Sequence, residues 1–98
     1  MSEHLYTVAE LTAKESKLDE LKSVLTDLAN ETRKEGGAIE YFFIHDKEKT
    51  NTILSIEKWR NADDENAHWK TPHLNSAIEK LGNILDGDPI IHKGHQVI

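Results

Sequence analysis

With 98 residues, of which 37% are hydrophobic and 31% charged, the chain has room for one domain with a modest core, and it is too apolar to be disordered. Twelve Lys and Arg against 18 Asp and Glu leave a formal charge of -6, which supplies no basic stripe for a phosphate backbone, so nucleic acid is not an expected partner. Cysteine is absent, which rules out disulfides, thiolate metal sites, iron–sulfur clusters and a cysteine nucleophile.

Met1-Ser2-Glu3-His4 is not a basic segment leading into an apolar run, and no apolar run approaches the ~18 residues that cross a bilayer. A cytoplasmic protein without a membrane partner is expected. No repeat or low-complexity tract interrupts the chain, so residues 1–98 are read as a single domain.

Leu5 to Ala13 carries Val, Tyr and Thr with partial alternation and predicts a first strand. Ser16 and Asp19 have capping-box spacing for a helix whose apolar stripe is Leu18, Leu21, Leu25 and Leu28. Gly36-Gly37 is expected to end that helix with a left-handed residue. Ala38 to His45 and Thr52 to Trp59, rich in β-branched and aromatic residues, predict an antiparallel hairpin with a long polar loop. Asn61 can cap a short helix, and Thr71-Pro72 supplies an N-cap followed by proline in the first turn. Leu74, Ala77, Ile78, Leu81, Ile84 and Leu85 form the buried stripe of that next helix, and Ile90 to Ile98 can make a last strand. The order is βαββαβ, an α+β ferredoxin-like pattern with an antiparallel sheet.

Side chains alternate across a sheet, so Ile39, Tyr41 and Phe43 face one way and Phe42 and Ile44 the other, and neither face reads as fully wet. One helical layer covers only one face. A homodimer through the open face is therefore expected.

Glu57 and Trp59 share a face with Ile53 and Ser55, which puts a carboxylate on an apolar strand. Enclosure would raise its pKa and suit it to acid or base work, whereas a marginal position would let it pair with a lysine. His68 and His73 bracket Trp69-Lys70-Thr71-Pro72. Their spacing is not the i, i+4 that aligns two imidazoles on one helix, and no HExxH accompanies them, so no metal site is expected. A histidine that faces a cavity beside Glu57 would be a natural proton shuttle. His92 and His95 read as surface or dimer-edge residues, and His4 and His45 carry no pattern. No GxGxxG, P-loop, GxSxG or EF-hand motif occurs, and no cofactor is expected.

Ile56-Glu57-Lys58-Trp59, followed by Ala67-His68-Trp69-Lys70-Thr71-Pro72-His73, resembles the signature of the antibiotic biosynthesis monooxygenase family. The resemblance extends from Tyr6 through Glu35-Gly36-Gly37 and Tyr41 to the Leu81–Leu85 region. It implies a dimeric α+β barrel and a cofactor-independent oxygenase that acts with dioxygen on a small quinol- or polyphenol-like aromatic. It makes His68, or His73, the base, Glu57 the residue that orients or tunes it, and Trp59 part of an aromatic slot, with Glu57, Trp59 and His68 carried over by motif position. Strand parity adds Tyr41 and Phe43 to that slot. Relatives that degrade haem use an asparagine in the first strand and a histidine further along the second helix. Here Thr7, Val8 and Ala9, then Ala77 and Ile78, occupy those regions, so haem breakdown is not expected. Two other readings remain open: an acid/base isomerase of a phosphorylated autoinducer, with Lys58 or Lys70 near the phosphate, and a non-catalytic dimeric ligand-binding or stress-response module.

Overall fold

In the computed structural model, which describes residues 3–98, the elements run β1 (Leu5–Thr12), α1 (Leu18–Thr32), β2 (Ala38–His45), β3 (Thr52–Trp59), α2 (Ala62–His68), α3 (Pro72–Leu81) and β4 (Ile90–Gly94). Residues 1 and 2 of the expected domain lie outside the described residues. The four strands form one antiparallel sheet in the order β2-β3-β1-β4. This is the α+β ferredoxin-like fold the sequence predicts, with the second helical region divided into α2 and α3.

The helices cover one face of the sheet. Leu21, Leu25 and Leu28 of α1 and Leu74, Ala77 and Leu81 of α3 pack with Leu11 of β1 and Ile53 of β3 into the main core. A smaller cluster of Leu5, Ala29, Tyr41 and Trp59 lies beside it. Burying each large aliphatic side chain is worth about 1.5–3 kcal/mol, and this layer is the principal source of stability. On the other face Phe42, Ile44 and Ile90 are exposed, with Val8, Leu54 and Ile56 half-buried between them. Both faces are thus apolar, as strand parity requires.

Several local expectations are corrected. No capping box forms: α1 begins after Lys17, which makes no side-chain cap bond, because Ser16 adopts φ 66° to turn the chain. Gly36 and Gly37 do not end α1 in a left-handed conformation, since the helix stops at Thr32 with Arg33 still right-handed. Gly37 is needed for close approach, because a Cβ there would collide with the Asp64 side chain. Ile39 falls at a bulge between Ala38 and Glu40 and leaves the face of Tyr41 and Phe43. Ile78 is 47% exposed, so it sits outside the buried stripe. Ile84 and Leu85 lie beyond α3, with Leu85 bridging to Ala13. β4 stops at Gly94, which leaves residues 95–98 outside the sheet.

The two predicted helix starts form as expected. Asn61 accepts from the Asp64 amide at 2.8 Å, and Thr71 Oγ1 accepts from the Leu74 amide at 3.3 Å with Pro72 behind it. These caps fix where α2 and α3 begin, and the break between the two helices separates His68 from His73.

Candidate functional site

The covered face of the sheet carries a short polar interruption. Thr7 of β1 and Glu57 of β3 are register partners, and Ser55 lies two residues before Glu57 on the same face. Ser55 Oγ donates to Glu57 Oε2 at 2.7 Å and accepts from the Ala9 amide at 2.9 Å, while Trp59 Nε1 donates to Glu57 Oε1 at 2.9 Å. Both carboxylate oxygens are therefore held by neutral donors. Burial pushes the Glu57 carboxyl above its usual range, opposed by the Ser55 and Trp59 bonds and the nearby His68.

α2 delivers His68 to the same region. Its last residue is 3% exposed, and its ring lies 4.7 Å from that of Trp59 and 5.5 Å from that of Tyr41. The backbone oxygen of His68 accepts from Thr71 Oγ1 at 2.8 Å, which ties the imidazole to the turn that starts α3. His68 Nδ1 meets Glu35 Oε2 at 2.8 Å, and His73 Nε2 meets the same oxygen at 2.6 Å. A carboxylate oxygen only accepts, so Nδ1 is the donor in this bond, and in the neutral ring Nε2 then carries the lone pair. Tyr41 remains a neutral phenol, because burial and the adjacent Glu57 charge both raise its pKa.

An apolar cavity of about 280 Å³ opens onto this polar end. Leu25, Leu28, Leu74 and Leu81 wall it from the helices, and Ala9, Leu11 and Phe43 from the sheet. Thr7, Tyr41, Ser55, Glu57 and His68 supply its polar surface, and Trp69, Ile78, Pro89 and Ile91 complete the lining. Pockets built mostly of apolar walls with a few convergent polar groups are the usual form of a small-molecule site.

Of the residues singled out from sequence, His68, Glu57, Tyr41 and Phe43 line this cavity together. Trp59 is fully buried behind them, where it supports Glu57 and stacks on His68, and it is not among the lining residues. His73 stands on the far side of Glu35, also outside the lining. Glu57 takes its hydrogen bonds from Ser55 and Trp59; the carboxylate bonded to His68 is that of Glu35. Sequence spacing gave no sign of Glu35, which lies 33 residues from His68 and 38 from His73. Glu35, His68 and His73 each bring one potential ligand atom within 4.8 Å of the others.

The lysines nearest the motif stand elsewhere. Lys58 points to the open face, over the Tyr6 ring, and Lys70 is exposed. Lys93 of β4 pairs with buried Glu65 at 3.0 Å and lies over Trp69. His92 faces Glu10 on the surface, and His95 lies past the strand end against the His4 carbonyl. Among the described residues no helix is long and apolar enough to cross a membrane.

The model of the antibiotic biosynthesis monooxygenase family matches residues 5–80. Solved structures share the fold closely. PA3566 of Pseudomonas aeruginosa is 23% identical with TM-score 0.91, the match covering 100% of this chain and 98% of that one. A conserved protein of Methanosarcina mazei Go1 is 23% identical with TM-score 0.92 over 96% of this chain and 93% of that one. A protein described as an antibiotic biosynthesis monooxygenase is 19% identical with TM-score 0.89 over 96% of this chain and 99% of that one. No curated protein matches the chain.

Proposed function

Because this chain belongs to the antibiotic biosynthesis monooxygenase family, we propose that it is a cofactor-independent monooxygenase of a small quinol- or polyphenol-like aromatic, acting in the cytoplasm as a homodimer. The observation that carries the reading is a buried imidazole in the polar end of an apolar cavity, with its Nδ1 held by a carboxylate.

His68 Nε2 takes the phenolic proton, and Glu35 stabilises the imidazolium that forms. The electron-rich anion then passes one electron to dioxygen, and recombination of the two radicals forms a carbon–oxygen bond. Loss of water from the resulting peroxide, with the proton returned by His68, leaves one oxygen atom in the product. A quinol and one dioxygen thus give a hydroxyquinone and one water, and no external reductant is required. The apolar walls exclude water from the radical pair, Phe43 and Tyr41 contact the ring, and Glu57 sets the polarity beside His68 from its seat on Ser55 and Trp59.

The open sheet face supports the homodimer, since Phe42, Ile44 and Ile90 form an exposed apolar surface on a chain with a small core. The isomerase reading needs a cation for phosphate, and Lys58 and Lys70 do not face the cavity. Turnover of a reduced naphthoquinol, followed by oxygen electrode and repeated under strict anaerobiosis, separates the alternatives. An oxygenase stops without oxygen, an isomerase continues, and a binding module shows ligand-dependent thermal stabilisation without turnover.

A further inference from the structure

We propose that Glu35, His68 and His73 form a binding site for one divalent transition-metal ion of the zinc class, placed behind the substrate cavity. Three separate segments converge on it. Glu35 comes from the connection after α1, His68 from the last turn of α2 and His73 from the first turn of α3. Glu35 Oε2 already lies 2.8 Å from His68 Nδ1 and 2.6 Å from His73 Nε2, and one potential ligand atom from each residue falls within 4.8 Å of the other two. Two imidazoles and a carboxylate are the donor set of open three-ligand zinc sites, with bonds of about 2.0–2.2 Å. Such bonds in tetrahedral geometry set ligand atoms about 3.4 Å apart. Reaching that spacing opens the two short pairs by about 0.6 and 0.8 Å.

The site is supported and accessible. The His68 ring is packed between Trp59 and Tyr41, and its backbone oxygen is bonded to Thr71, so one ligand is fixed before any ion arrives. The His73 and Glu35 side chains retain 21% and 16% exposure, which gives an ion a way in and His73 room to adjust. The chain's charge of -6 favours a cation. Neither Glu35 nor His73 lines the cavity, so the ion would stand outside substrate space and act through His68. A cation on Nδ1 leaves the ring's proton on Nε2, the nitrogen that the oxygenase step needs free, so the loaded protein would be the inactive form. That consequence rests on the reading of His68 as base, whereas the binding itself does not.

Tag-free protein stripped with chelator is titrated with Zn2+ by calorimetry and with Co2+ by visible absorption, without substrate. The expected result is one ion per chain and ligand-field bands for Co2+. Glu35→Gln and His73→Ala should each weaken binding by about tenfold or more, and His92→Ala, which alters the exposed pair with Glu10, should leave it unchanged. Circular dichroism confirms that the variants are folded. Absence of stoichiometric binding overturns the site, as does binding that survives Glu35→Gln and His73→Ala or is lost in His92→Ala. The oxygenase reading stands or falls separately, on turnover by chelator-treated protein.

Discussion

Glu35 Oε2 meets His68 Nδ1 at 2.8 Å across 33 residues of sequence, so the imidazole at the cavity is oriented by a carboxylate from the α1–β2 connection. An Asp or Glu in that position holds the tautomer and stabilises the imidazolium. Glu35→Gln should keep the fold and lower kcat/KM by about 10²-fold, measured on any quinol the wild type consumes. An unchanged rate would show that His68 needs no orientation from this side.

Glu57 gives a pH signature. Its carboxyl is raised by burial, so between its ordinary unfolded pKa and its higher folded one the native state binds more protons than the unfolded state, and stability falls as pH rises through that window. Glu57→Gln removes the titrating group at nearly constant shape. Thermal melts from about pH 4 to pH 7 should show the wild type losing stability relative to this variant. Parallel profiles, or the opposite slope, would mean that Glu57 is not desolvated in the native protein.

The open sheet face predicts association. Wild-type chains of 11.2 kDa should sediment as dimers, and Phe42→Glu combined with Ile44→Glu should give monomers, because burying two carboxylates against an apolar surface costs several kcal/mol each. A wild type that is monomeric at micromolar concentration contradicts the expectation.

Leu21 is fully buried in the main core. Leu21→Ala should destabilise by about 2.7–5 kcal/mol in denaturant melts. A loss below about 1 kcal/mol would place Leu21 outside a close-packed layer.

The fold was legible because its signals are local. The leucine stripe of α1, the β-branched hairpin and the caps at Asn61 and Thr71 each depend on neighbouring residues. Where the expectations fail, tertiary geometry decides. Ser16 turns the chain and caps nothing, Gly37 admits Asp64 and does not end a helix, and a bulge turns Ile39 outward. The site was half legible. Glu57 stands out as a carboxylate on an apolar strand and His68 by its place in the family motif, but the partner of His68 is Glu35, which in sequence looks like any exposed residue at a helix exit. His73 could be brought beside that carboxylate only because the chain breaks between α2 and α3, which linear spacing does not encode.

The proposed function gives His68 the role of the base that starts oxygenation of an electron-rich aromatic. Its most direct test is oxygen consumption by chelator-treated protein with reduced naphthoquinol, comparing wild type with His68→Ala. The wild type should consume one dioxygen per quinol, at a rate about 10²–10⁴-fold above that of the variant. Equal rates in the two proteins, or no consumption above the uncatalysed background by the wild type, would contradict it.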